Sequence, residues 1–169
     1  RGAATFTSTQ QAAEVEDKTV TTEDAGSVLV RFDDGSKGCF SVSQVSAGRK
    51  NRLSFEVNGS ECSLGWDQEV PQQLWIGHRQ QPNQILTDDP GLMSPDVAAS
   101  AHCPGGHIEG WPDAFKNMML NFYRAVQDGK MPARDEARFA SFYDGASVMF
   151  IIDAIVQSHQ QQKWVTVAC

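Results

Sequence analysis

Apolar and polar positions alternate along much of the first half of the chain and recur at helical spacing in the second. SVLVRF (27–32) and KGCFSVSQVSAG (37–48) read as two strands, and Asp34-Gly35 between them supplies the positive φ that a tight hairpin turn requires. RLSFEV (52–57) and ECSLGW (61–66) repeat the pattern around Asn58-Gly59. QLWIGHR (73–79) adds a fifth strand-like run after Pro71, and QILTD (84–88) a short sixth. Strands joined by such turns are antiparallel. The opening RGAATFTST (1–9) also has strand-like alternation, whereas 10–26 is polar and acidic without a sustained period and reads as a surface loop. Within the paired runs Phe, Val, Leu and Trp take one set of alternating positions and mainly Ser, Cys, Gln and Glu the other. One sheet face is therefore expected to be covered, and the other to be solvated or to meet a partner.

Residues 88–112 hold most of the prolines and several glycines, which predicts a long ordered loop. From Pro112 the period becomes helical: Ala114, Phe115, Met118, Met119, Phe122, Tyr123 and Val126 form one stripe that ends at Asp128-Gly129. MPARDEAR reads as a polar linker and FASFYDG as short and extended or turn-like. A second helix, apolar around most of its girth, is predicted over 146–160, and KWVTV (163–167) returns to strand. Strands first and helices afterwards predict an α+β class, an open, mainly antiparallel sheet with helices packed on one face.

At 169 residues the chain fits one domain able to fold alone around a single core. A net charge of −7 argues against a phosphate-tracking surface and against docking on anionic lipid, so neither nucleic acid nor membrane is expected as a partner. The longest apolar run, Ser147 to Val156, is interrupted by Asp153 and too short to span a bilayer. With no basic-then-apolar leader, the expectation is a cytoplasmic protein. Cys39, Cys62, Cys103 and Cys169 are irregularly spaced without a CxxC, which suits free thiols in a reducing compartment.

The chemistry concentrates in HCPGGHIEGWPDAF (102–115). His102, Cys103, His107 and Glu109 are all competent zinc ligands, but their spacing matches no compact zinc pattern, and a metal-dependent hydrolase or isomerase is kept only as a rival. His107 with Glu109 could do acid–base work, since a neighbouring carboxylate can fix an imidazole's tautomer, or His107 could pack the helix entrance. Asp113 suits an N-cap or first-turn acid. Trp75 and Trp111 could stack on a sugar ring, while Trp66 and Trp164 read as core. Arg49, Lys50, Asn51 and Arg52 form the one local basic cluster, a solvated turn or a contact for an anion or hydroxyl-rich ligand. No GxGxxG follows a strand, and there is neither a P-loop nor a GxSxG elbow, so the chain itself carries no dinucleotide or serine-hydrolase signature.

Several stretches taken together, EDAGSVLVRFDDGSKGCFSVSQVSAGRKNRLSFEVNGSECSLGW, QLWIGHR, PGGHIEGWPDAFKNMMLNFYRAV and FASFYDGASVMFIIDAIVQSHQQQKWVTV, resemble the C-terminal domain of the Gfo/Idh/MocA oxidoreductases, from about Thr22 to Val167. GGHIEGWPDAF is the most specific part. The resemblance implies a fold like the C-terminal domain of glyceraldehyde-3-phosphate dehydrogenase, here truncated at its N-terminus, as one substrate-binding and oligomerisation domain over 1–169 with the Rossmann domain absent. It further implies a parent enzyme that uses NAD or NADP on a sugar, polyol or inositol, and a homo-oligomer formed through the open sheet face. The family's catalytic lysine of an EKP motif and the aspartate and histidine of a GxxDxxxH motif have no counterpart in this sequence. The resemblance therefore assigns no catalytic, metal or cofactor residue here and implies a catalytically silent chain. It points to His107, Glu109, Trp111, Arg49 and Asn51 as substrate contacts. The rival of a different class is a stand-alone sheet-mediated dimer or carbohydrate-binding module.

Overall fold

The computed structural model describes residues 19–130, 132–133 and 136–168. The strand expected over 1–9, and the loop that follows it up to residue 18, lie outside the described residues. The chain divides into two compact units, Arg1–Ala47 and Gly48–Cys169.

In the first unit β1 (Ala25–Arg31) and β2 (Lys37–Ser43) pair antiparallel, with Val28 opposite Phe40 and Val30 opposite Gly38. The turn forms as its sequence dictates. Gly35 takes φ +86, and its N–H donates to the Phe32 carbonyl. The Asp34 carboxylate accepts the Ser36 N–H at 2.8 Å, and Ser36 holds the Asp34 carboxyl below its ordinary range. The pleat sends Val28, Val30, Phe40 and Val42 to one face and Ser27, Cys39, Ser41 and Leu29 to the other.

The second unit holds a four-stranded antiparallel sheet in the order β3 (Ser54–Asn58), β4 (Cys62–Asp67), β5 (Gln73–His78), β6 (Gln84–Thr87). The strands thus fall into two sheets. The connection 44–53, polar and with Gly48 at φ +83, carries no ladder between β2 and β3. Register pairs Phe55 with Trp66, Leu64 with Ile76, and Leu74 with Leu86. Pleat parity then puts Phe55, Val57, Leu64, Trp66, Leu74, Ile76 and Leu86 on one face. The Phe55 and Trp66 rings lie 5.6 Å apart, and the Trp66 indole N–H donates to the Pro71 carbonyl at 2.9 Å.

The opposite face is mainly polar, with Trp75 and Ile85 paired across β5 and β6 in it. Ser63 donates to the Asn58 side-chain oxygen at 2.6 Å, and Asn58 donates in turn to Glu56 at 3.1 Å. The Trp75 indole lies across the backbone of its neighbours: a Cβ at Gly77 would come within 2.3 Å of the ring, and one at Gly65, its cross-strand partner, within 3.3 Å. Gly77 is buried beneath it. Two glycines thus let a large ring lie close to the sheet, with Ile85 as its cross-strand neighbour on the other side.

The long segment after β6 is ordered by short helical turns, a 3-10 turn at Pro90–Leu92 capped by Asp89 and the one-turn helix α1 (Pro95–Ala98). α2 (Trp111–Asp128) begins where Pro112 and Asp113 predict and ends on Gly129 in the left-handed conformation. α3 (Phe142–Gln161) starts four residues before the predicted 146. The cause is a capping box: the Ser141 hydroxyl accepts the Asp144 N–H at 3.3 Å, and Asp144 accepts the Ser141 N–H at 2.8 Å. The KWVTV strand is absent among the described residues, where 163–168 follow α3 without regular structure. The α+β class with open antiparallel sheets stands as expected.

Burial departs from the expected single core. Among the described residues Ala154 is the buried apolar side chain, while Phe55, Val57, Met149 and Ile152 are exposed and Phe142 is 99% exposed. No described helix is long and apolar enough to cross a membrane. Gly77→Ala is expected to displace the Trp75 ring and lower stability by about 1–3 kcal/mol. The check is a lower urea midpoint at unchanged m, together with a shifted tryptophan emission.

Candidate functional site

The segment 102–110 is a loop built on the N-terminus of α2 and held by its own polar groups. Glu109 accepts the backbone N–H groups of two successive residues, His102 at 2.6 Å and Cys103 at 2.5 Å, with one carboxylate oxygen. Those bonds, the one from His102 first, hold its carboxyl below the ordinary value of 4.5. The turn between them needs its glycines. Gly106 sits at φ +85, and a Cβ on Gly105 would meet the Asp89 carboxylate at 3.1 Å. Asp89 thereby links the 3-10 turn to the loop.

α2 supplies a second grip. Asn117 donates from its side-chain nitrogen to the Ser100 carbonyl at 2.7 Å, which leaves its oxygen to face the His102 ring, 2.7 Å from Nε2. A side-chain carbonyl oxygen only accepts, so His102 carries its proton on Nε2. At the helix start the Gly110 N–H donates to Asp113 at 3.1 Å, and Lys116 reaches the same carboxylate. The Gly110 bond is the chief reason the Asp113 carboxyl lies below its usual range. Asp113 is thus the first-turn acid its position predicts.

His107 is exposed, and its Nδ1 lies 3.1 Å from the Pro104 carbonyl, which also accepts the His107 N–H. A carbonyl cannot donate, so the ring proton is on Nδ1 and Nε2 keeps its lone pair. Trp111 stacks on Phe115 at 5.6 Å and 11°, one face covered and the residue 68% exposed. Cys103 is half-buried, and its thiol is pushed up first by desolvation and then by the Glu109 charge, which keeps it protonated and a poor nucleophile.

Of the residues singled out from the sequence, His107, Glu109 and Trp111 share this loop. Glu109, one of the expected substrate contacts, spends its carboxylate oxygen on the loop's own backbone. Arg49 and Asn51 sit elsewhere, beside the β4–β5 turn: Arg49 pairs with Glu69 at 2.7 Å, and the Asn51 carbonyl accepts from Gln68. Arg52 grips Asp67, and this bond raises the guanidinium's pKa and lowers that of the carboxyl. No hydrogen bond or ion pair among the described residues joins this cluster to the 102–111 loop. The four zinc-competent side chains do not converge either. No group of three or more His, Cys, Asp or Glu among the described residues is arranged to hold a metal. Sequence reasoning missed Asn117 and Asp89, since nothing in their local spacing marks the loop they grip.

With that geometry in view, the chain was compared with known proteins. Residues 3–167 match the family model described as the oxidoreductase family, C-terminal alpha/beta domain. Levoglucosan dehydrogenase of Pseudarthrobacter phenanthrenivorans is 26% identical over 157 residues, covering 88% of this chain and 37% of that protein. The crystal structure of an oxidoreductase from Sinorhizobium meliloti superposes with a TM-score of 0.76 at 32% identity, covering 84% of this chain and 40% of the other. An inositol dehydrogenase homolog from Azotobacter vinelandii, in complex with NAD+, gives 0.75 at 27% identity, with 82% and 36% covered. The chain thus spans 36–40% of the length of these three proteins.

The lowered Glu109 carboxyl sets a sign for pH dependence. Because its folded value lies below 4.5, the stability it lends is fully present above that pH and is lost as pH falls through the lowered value. Asp113 acts in the same direction. An acid titration followed by amide exchange of 102–110 is expected to show the loop protected at pH 5 and opening only below the usual glutamate range.

Proposed function

Since the chain belongs to the Gfo/Idh/MocA oxidoreductase family as its C-terminal alpha/beta domain, we propose that it is the substrate-recognition and oligomerisation domain of an NAD(P)-dependent oxidoreductase acting on a sugar, polyol or inositol. The observation that carries this reading is the loop 102–110, which exposes His107 with its Nδ1 on the Pro104 carbonyl and leads into the exposed Trp111 that opens α2. A hydroxyl-bearing ring meets both needs of such a surface: its O–H groups donate to Nε2, and its C–H face packs on an indole. The names of two relatives, a levoglucosan dehydrogenase and an inositol dehydrogenase homolog, refer to compounds of that kind.

NAD(P) would accept or return the hydride; the sequence has neither GxGxxG after a strand nor a P-loop, and in this reading the cofactor is held by a Rossmann domain of the parent enzyme. This chain's part is to bind and orient. His107 takes a ligand hydroxyl and Trp111 packs on the ring, while Arg49 and Asn51 extend the polar surface near the β4–β5 turn; none of them is assigned a catalytic step. The polar sheet face, flat because Trp75 lies over Gly65 and Gly77, is the surface for a second copy. The domain is placed in the cytoplasm, in keeping with its free thiols at Cys39, Cys62 and Cys103.

Titrating the 15N-labelled chain with levoglucosan or myo-inositol is expected to shift amide signals at 104–111. Shifts confined to other residues, or none at high millimolar ligand, would refute the contact. Calorimetry with NAD+ and NADP+ is expected to show no binding, and a micromolar affinity would place the cofactor site inside this chain. Light scattering should give a dimer or larger species, and Trp75→Glu should return it to monomer; a monomeric parent chain at high concentration is the contrary result.

A further inference from the structure

We propose that Glu109 is a positioning residue for His107: its carboxylate, seated on the N–H groups of His102 and Cys103, holds the Pro104 carbonyl where it takes the Nδ1–H of His107 and leaves Nε2 as the acceptor presented to a ligand hydroxyl. This deepens, and rests on, the reading of the loop as a ligand contact.

Glu109 closes residues 102–109 into a ring by binding two consecutive N–H groups, a concave arrangement that suits an anion better than a neutral acceptor. The next residue, Pro104, has a fixed φ, so with 102 and 103 clamped the direction of its carbonyl is left to its own ψ, which the turn bond from the His107 N–H sets. Gly105 and Gly106 then turn the backbone so that the same carbonyl receives both the N–H and the ring Nδ1–H of His107. Asn117 on the His102 ring and Asp89 against Gly105 hold the frame from outside, but neither bonds the 102–103 backbone N–H groups. Without the carboxylate two adjacent N–H groups lose their acceptor, and the carbonyl that selects the tautomer is no longer held. A glutamate two residues from an exposed histidine looks like its acid–base partner. Here it acts on that histidine through backbone.

Long-range 15N correlation spectra of the His107 ring, taken at about pH 8 where an ordinary imidazole is neutral, read the tautomer directly. The wild-type chain is expected to show the proton on Nδ1 as the dominant form. Glu109→Ala should shift the equilibrium so that Nε2–H becomes the major form, while Glu109→Gln, which keeps an acceptor oxygen, should restore the Nδ1–H pattern. A wild-type ring already in the Nε2–H form, or an unchanged tautomer in Glu109→Ala, would overturn the proposal. Should Glu109→Ala fail to fold, an acid titration of the wild type decides. The His102 and Cys103 amide protons are expected to move in step with the Glu109 carboxyl carbon, and amide protons indifferent to that titration would refute the clamp. These spectra contain no ligand, so their failure is distinct from failure of the sugar-contact reading, which the levoglucosan and myo-inositol titration tests.

Discussion

Burial of apolar surface is the constraint on which the rest of this structure turns, because here it is postponed. Phe55, Val57 and Leu86 on one sheet face, and Met149, Ile152 and Val156 on α3, are exposed in the described chain, with Ala154 the buried apolar side chain. An apolar face gains its stabilisation, about 25 cal/mol per Å2, only against something that excludes water from it. The elements are instead defined by local bonds: the Asp34-Gly35 turn, the Ser141–Asp144 capping box, and the Gly110–Asp113 bond that starts α2. The chain spans 36–40% of the length of the relatives compared above, and within the described residues these faces stay exposed.

The loop before α2 is the opposite case, where nearly every polar group has a partner. Glu109, Asn117, Asp89 and Asp113 each bind or abut backbone, so the segment is tied by polar contacts rather than by a hydrophobic core. Under the proposed role, such ties lower the entropy of ordering the loop when a ligand arrives. His107 keeps Nε2 and Trp111 one ring face outside these internal bonds, and the proposed contact with a hydroxylated ring rests on that pair. The Arg49–Arg52 cluster differs, because Arg49 and Arg52 are already paired with Glu69 and Asp67.

The sheet shows how a single pleat separates two roles. Its register puts every large aliphatic of β3–β5 on one face and leaves Trp75 among Glu56, Asn58, Ser63 and Gln73 on the other. That the ring lies flat depends on Gly65 and Gly77 having no Cβ, a condition set by two residues on different strands.

Alternation, turn chemistry and helical spacing were enough to read β1 to β6, the start of α2 and the α+β class from the sequence, because each depends on residues close together in the chain. The family was legible in GGHIEGWPDAF for a related reason: a loop tied to itself carries its constraints in one short segment. Ser141-x-x-Asp144 was equally local and was passed over in favour of the apolar run that follows it, which put the start of α3 four residues late. What tertiary structure alone decided was the use of side chains that the spacing only offered. Glu109 Oε1 binds two loop amides, Asn117 reaches the His102 ring from α2, Asp89 packs against Gly105, and Trp75 lies over two glycines. Each of these is a meeting of residues whose separation in sequence carries no period, and hydrogen bonds of 2.5–3.1 Å are made or lost by displacements that no pattern of polar and apolar positions encodes.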